Sequence, residues 1–450
     1  MNLDLRSGGT TTFPAAVTDV SLWSGTAWVG HRDVVLRDGT IDAVRPHDPG
    51  RRWAGSTIDG SGAHLVPGFT NTHTHLQQAL CRGVGEGQPL LAWLLAVGES
   101  MAATTPERAY AAAVSAALEG LLSGSTTLVE HGWPHRDPEI LEAVRRGLED
   151  VGVRAVLGVG VADRADPSRR WGMDPRLLKP LEESLADVDE LRTRLAGSRL
   201  APALAVPNVR CLTTEGMKQV RAYADEHGLT TMIHLAETGT DDAMCREHVG
   251  EEAVDVLAGG DLLSERLLAV HGVELTDRAI SALAAAGASV SWNPISNMRL
   301  GSGVAPVERL LDAGVAVGLG VDGAGSNDRQ DMLETIRSGA YVQRATHKRA
   351  DMFDFTTMMG LAVDGAATAL GRTAPVAAGG LYEGRVADLV LVRFDRDFAC
   401  LPVTDPGASL LTTGTPRVID TVLVGGEVVV ADGRSTRIDS AALTRSLQEV

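Results

Sequence analysis

"PGFTNTHTHLQQALCRG", from Pro67 to Gly83, is the stretch on which the fold turns. It begins as an apolar, β-prone run, closes on two histidines one residue apart, and changes at once to polar residues and glycine. Residues i and i+2 of a strand share a face, so His73 and His75 point the same way. They are either one side of a metal site or two polar residues at a frayed strand end. The rest of the chain decides between these readings.

Seven further apolar runs of strand length follow: 125–132, 155–162, 200–207, 230–237, 267–273, 289–294 and 316–323, after the first at 66–73. Amphipathic runs of helix length separate them. "TPERAYAAAVSAALEGLLSG" offers Thr105 as N-cap, Pro106 at the first helical position and Gly124 as a stop. "TDRAISALAAAGA" and "APVERLLDAG" have the same character. Strands that are apolar throughout and alternate with helices imply a parallel sheet covered by helices. Eight such units imply a (β/α)8 barrel of the α/β class; a doubly wound open sheet is the rival.

The two ends of the chain read differently. "DVVLRDGTIDAVRP" near the start and "VIDTVLVGGEVVVADGR" near the end are β-branched runs broken by Asp-Gly and Gly-Gly turns. A small β-sandwich assembled from both termini is expected, with 1–66 and 377–450 forming it and 67–376 forming the barrel.

The bulk numbers narrow the function classes. The 450 residues suffice for a large core. A formal net charge of −17 disfavours nucleic acid or an anionic membrane as partner. Four scattered cysteines form no C-x-x-C pair, which points to a reducing compartment. The first residues show no basic segment followed by an apolar one, and "LLAWLLAV" is too short to span a bilayer. A cytoplasmic location is the expectation.

Chemistry in such a barrel sits at the C-terminal ends of the strands. The polar residues there are His73 and His75, Glu130 and His131, Asn208, His234 with Glu237 three residues on, His271, and Asp322. His73, His75, His234 and Asp322 would make a His3Asp donor set suited to zinc or ferrous iron with a position left for water. The strand-4 candidate "LAPALAVP" holds no lysine to bridge a second metal, so one divalent ion is expected. Singly, each residue has an ordinary reading as a core histidine or a turn aspartate. Jointly, buried ionisable groups at the ends of apolar runs are costly unless paired or metal-bound. Gln78, Arg82 and Trp93 follow strand 1 and, with His131 and Asn297, are candidate pocket residues; Trp93 could stack on a flat ring. The glycine-rich "GVGEG" (83–87) reads as a lid or as a plain loop.

The segments "PGFTNTHTHL", "GSTTLVEH", "IHLAET", "AVHGVELTD", Ser291–Leu333 and "LYEGRVADLVLV" resemble the amidohydrolase superfamily. The similarity is to the aminohydrolase branch that includes S-adenosylhomocysteine/methylthioadenosine, 8-oxoguanine and guanine deaminases and the s-triazine hydrolases. It covers nearly the whole chain. It implies metal ligands at His73, His75, His234 and Asp322, and a proton shuttle at Glu237. It implies a hydrogen bond from His271 to a metal-bound hydroxide or to substrate, and Asp322 as proton acceptor. The implied activity is hydrolytic deamination of an aminopurine, pterin or aminotriazine by a homodimer or larger assembly. Formimino, cyclic-amide or carbon–halogen hydrolysis on the same site is the alternative. One departure stands out: strand 4 of many members ends in Pro-His, whereas "AVPNVRC" has Asn208, which puts that histidine's substrate contact in doubt. The retained Asp322 favours deamination over dehalogenation. The H-x-E and P-C-x-x-C signature of the separate zinc nucleobase deaminases is absent.

Overall fold

A computed structural model describes residues 5–7, 11–371 and 380–449. Its centre is an eight-stranded parallel sheet in sequential order. The strands are Phe69–Thr74, Ser125–His131, Arg154–Gly160, Leu200–Asn208, Thr231–Leu235, Leu267–His271, Ser289–Trp292 and Ala316–Leu319; they are numbered 1 to 8 below. Most of their residues are buried on both faces, as runs apolar throughout require. The sheet closes where strand 8 runs out: the Asp322 amide donates to the His73 carbonyl at 2.8 Å, and the Val321 amide to Asn71 Oδ1 at 2.9 Å. The doubly wound alternative is thereby excluded. Strand 8 is shorter than expected and stops at Leu319, so Asp322 stands in the segment beyond it.

The helices begin and end where local chemistry dictates. Thr105 accepts the Arg108 amide and caps Pro106–Leu122, with Pro106 in its first turn. Thr276 caps Asp277–Ala286 in the same way, and left-handed Gly287 ends it. At Gly68 a Cβ would lie 2.1 Å from Thr126 Oγ1, so only glycine lets strand 1 approach strand 2 at this level.

A second, mostly antiparallel nine-stranded sheet takes strands from both ends of the chain. His64–Pro67 pairs with Leu389–Val392, which joins the two halves. The sheet curls over its own core of Val17, Val34, Ile41, Leu65, Leu389 and Leu423, and Thr40 bridges Val386. This is the expected sandwich. The expected boundary at 376/377 lies outside the described residues. Arg154 of barrel strand 3 forms a two-pronged ion pair with buried Asp388, at 3.0 and 3.1 Å, and pins barrel to sandwich. No helix among the described residues is long and apolar enough to cross a membrane.

Candidate metal centre and active site

The C-terminal ends of strands 1, 5, 6 and 8 meet in one buried cluster. His73 Nε2 lies 3.4 Å from Asp322 Oδ1, and His75 Nε2 lies 3.7 Å from the same oxygen. His75 Nε2 and His234 Nε2 face each other at 3.2 Å. His73, His75 and Asp322 form one group of donors within 4.8 Å of one another; His73, His234 and His271 form a second.

Local hydrogen bonds prepare these donors for a cation. His75 Nδ1 donates to the His131 carbonyl at 2.7 Å, which leaves its Nε2 lone pair turned inward. Both ring nitrogens of His73 and Nδ1 of His234 are buried without a hydrogen-bond partner. Burial lowers His75 to about 4 and puts His234 well below the ordinary imidazole value, so both rings are neutral at pH 7. Burial acts to raise Asp322, but the close approach of His73 and the other nearby imidazoles outweigh it and hold the carboxyl well below the usual range. Neutral imidazoles with bare nitrogens around an ionised carboxylate are what a divalent metal with nitrogen and oxygen ligands needs.

The backbone is strained at this cluster. Ala236, His271 and Asp322 adopt φ of 51°, 76° and 69°, a left-handed region that non-glycine residues avoid. Bonds between strand ends hold the strain. The Gly272 amide reaches Leu235 O at 3.1 Å and the Glu274 amide reaches Ala236 O at 2.8 Å. Asp241 Oδ2 accepts the Ala236 amide at 3.0 Å. Asp322 is steadied by its own carbonyl, which accepts from Thr74 Oγ1 and Gln330 Nε2.

Glu237 lies just beyond the donors, with Oε2 3.5 Å from His271 Nε2 and Oε1 3.5 Å from Ser302 Oγ. Burial above all, then the charges of Asp322 and Asp241, raises its carboxyl well above the ordinary value. Glu237 and Asp322 are thus pushed in opposite directions, the signature of an acid and a base sharing a site.

The cluster opens into a cavity of about 680 Å³, counting space continuous with solvent, whose lining includes Gln78, Trp93, His131, Trp133, Asn208 and Arg169. Among the sequence candidates, Gln78 presents a buried Oε1 with no partner. Trp93 lines the cavity with its indole N–H bound to Gly325 O. His131 lines it while donating Nε2–H to Val206 O at 3.2 Å. Asn208 spends its side-chain oxygen on the Arg210 amide. Two other candidates are placed elsewhere. Arg82 turns away from the cavity to Asp328 O, Ala79 O and Glu119. Asn297 is not in the lining either; its amide binds His271 Nδ1.

Several supporting residues have roles that the sequence does not assign. Glu130 Oε2 accepts the Leu76 amide at 2.8 Å, directly after His75. Arg210 pairs with Asp241 at 3.4 Å and donates to the carbonyls of Arg169 and Arg170. The Arg169 guanidinium then lies 5.2 Å from the Trp133 ring centre. Glu130 was visible as a polar residue at the end of strand 2; Arg210 and Asp241 lie in the helices Val209–Cys211 and Thr240–Val249 and, like Arg169, are brought in by tertiary contact.

Comparison with known proteins agrees with this geometry. The amidohydrolase family pattern matches residues 64–429. A 5-methylthioadenosine/S-adenosylhomocysteine deaminase of Pyrococcus abyssi is 31% identical over 93% of this chain and 94% of its own length. A 5'-deoxyadenosine deaminase of Methanothermobacter thermautotrophicus is 31% identical over 89% of each chain. A zinc-bound adenosine deaminase of Xanthomonas campestris superposes with a TM-score of 0.88, at 25% identity and 97% coverage of both chains. The chain belongs to the amidohydrolase family.

Proposed function

We propose that the protein is a metal-dependent aminohydrolase that exchanges the amino group of an aminated nitrogen heterocycle for oxygen and releases ammonia. The carrying observation is that His73, His75 and Asp322 bring donor atoms within 4.8 Å of one another, with His234 Nε2 3.2 Å from His75 Nε2, beside a Glu237 carboxyl raised well above its ordinary value. We assign those four residues as ligands of a single divalent ion, zinc by preference for a nitrogen-rich donor set. When bound, the metal lowers the pKa of a water beside it and polarises the carbon under attack.

The protein's own groups do the rest. Asp322, ionised and next to the ion, accepts a proton from the attacking water. Glu237, whose carboxyl burial holds well above its ordinary value, delivers its proton to the ring nitrogen adjacent to the attacked carbon and so offsets the charge that forms as aromaticity is lost. The proton held by Asp322 then passes to the departing amine, and the proton left on the new oxygen returns to Glu237 as the carbon–oxygen double bond forms. His271 donates a hydrogen bond to the oxygen on the tetrahedral carbon. Trp93 and Trp133 supply flat walls for the ring, and the bare Gln78 oxygen accepts from a ring N–H. The purine substrates named for the relatives from Pyrococcus and Methanothermobacter make an aminopurine the first candidate.

The test joins metal analysis to an ammonia-release screen with aminopurine nucleosides, free aminopurines, pterins and aminotriazines. One metal per chain and ammonia from at least one class are expected. Halide or a carboxylate product in place of ammonia, or no turnover of any class by metal-loaded protein, would overturn the reading.

A further inference from the structure

His271 differs from the other imidazoles of the site in having its Nδ1 enclosed by amides. Asn297 Nδ2 lies 2.9 Å from it and Asn293 Nδ2 lies 3.2 Å from it. An amide nitrogen only donates, so Nδ1 must carry its lone pair there, and the proton of the neutral ring resides on Nε2. Nε2 faces the Glu237 carboxyl at 3.5 Å on the cavity side.

The amides are themselves held. Ser291 Oγ donates to Asn293 Oδ1 at 3.3 Å, and Thr72 Oγ1 lies 2.7 Å behind Ser291 Oγ. This chain runs from strand 1 under strand 7 to strand 6, entirely among buried residues. It passes beneath Gly320, where a Cβ would lie 2.0 Å from Asn293 Oδ1 and 2.6 Å from Ser291 Oγ. Asn297 is fixed by its backbone: its N–H reaches Asn293 O at 3.1 Å, and its carbonyl accepts the Ser302 amide at 2.8 Å. As placed, its amide leaves one acceptor, Oδ1, without a partner. Turned over, it would leave its two N–H donors facing that unpartnered place instead.

We infer that Asn297, backed by Asn293, Ser291 and Thr72, is a positioning residue that fixes His271 as the Nε2–H tautomer. His271 then acts at the reacting centre only as a hydrogen-bond donor, and the base must be another group. Asn297 acts through His271 rather than on the substrate. The kinetic part of this inference rests on the proposed deaminase reading; the tautomer part stands without it.

The experiment uses metal-loaded full-length protein labelled with 15N-histidine, the His271 signals being assigned from their loss in His271→Gln. Long-range 1H–15N spectra should show His271 with a bare Nδ1 and a protonated Nε2. In Asn297→Asp the new carboxylate accepts from Nδ1, so the proton should move there, and kcat should fall about tenfold or more while KM stays within about twofold. Asn297→Ala keeps Asn293 as donor and should retain the Nε2–H form with a smaller loss. A wild-type ring protonated at Nδ1 overturns the inference and needs no variant to fold. An Asn297→Asp spectrum with the tautomer unchanged overturns it too, as does an Asn297→Ala protein with raised KM and intact kcat, the mark of a substrate contact. A spectrum as expected from a protein that deaminates nothing would sink the deaminase reading and leave the tautomer assignment standing.

Discussion

Replacing Glu130 by glutamine should stabilise the protein, and increasingly so as pH rises. Glu130 is 1% exposed, and its Oε2 accepts the Leu76 amide. Burial lifts its carboxyl from 4.5 to about 8, against a smaller opposing effect of that amide. The folded state therefore keeps a proton that the unfolded chain gives up above pH 4.5. The unfolded state binds fewer protons through this window, so stability falls from pH 4.5 to about 8 and levels off beyond. At about 1.4 kcal/mol per pH unit, the loss reaches a ceiling of about 5 kcal/mol. A polar cavity lined by Gln77, His135 and Lys179 adjoins Glu130, and water entering it would reduce this to about 2–3 kcal/mol. The substituted amide would keep the acceptor for Leu76 and carry no ionisable group. Urea unfolding of both proteins with the metal chelated, at about pH 5, 6.5 and 8, isolates the effect, because shared titrations cancel in the difference. The two should nearly coincide at the lowest pH and diverge by about 2 kcal/mol or more at the highest. A difference that does not change with pH, or a glutamine variant less stable at pH 8, would refute the reasoning. Glu130→Ala, which orphans the Leu76 amide, should lose about 1–3 kcal/mol relative to the glutamine variant.

Three other outcomes are expected. Glu237→Gln should retain its metal, measured by emission spectroscopy, and lose about 10²–10⁴-fold in kcat; the wild-type rate should fall as pH rises through the elevated Glu237 value, and the variant's residual rate should lack that alkaline limb. His73→Ala or His234→Ala should leave dialysed protein with well under one metal per chain, while circular dichroism shows the barrel retained. Asp388→Ala strands the Arg154 guanidinium between barrel and sandwich and should cost about 3–5 kcal/mol in unfolding experiments with activity otherwise intact.

The barrel was legible because its strands are apolar on both faces and its helices carry their own caps, both local properties of the chain. The His73/His75 pair was legible for the same reason, since a two-residue spacing fixes a shared face. What escaped was determined by contacts between distant segments. Arg82 stands seven residues after His75 and looks like a pocket cation, yet Asp328 and Glu119 draw its guanidinium outward. Asn297 sits in the short helix Pro294–Arg299, and nothing local says that its amide ends on a ring 26 residues earlier. Asp322 reads as the end of strand 8, but its sequence context does not reveal that the strand stops three residues short. Nor does it reveal that the aspartate holds a left-handed conformation.

That conformation connects the fold to the chemistry. The Asp322 amide closes the barrel on the carbonyl of His73, so the bond that completes the cylinder joins two of the four proposed ligands. A regular strand continued to residue 322 would alternate its side chains in and out of the barrel wall. The turn at φ 69° instead aims the carboxylate at His73 and His75 while its main chain still seals the seam. Strain of this kind costs on the order of 1–3 kcal/mol per residue and persists only where the surroundings over-determine it. Here Thr74 and Gln330 both hold the Asp322 carbonyl, and Asp241 holds the equally strained Ala236 from below. The site is therefore preorganised by the barrel's own closing hydrogen bonds, and its ligands need not be gathered by the metal. Weakening the seam, for example by Gln330→Ala, should then lower metal affinity even though Gln330 touches no ligand side chain. Unchanged affinity in that variant would mean that the ligand geometry is set locally.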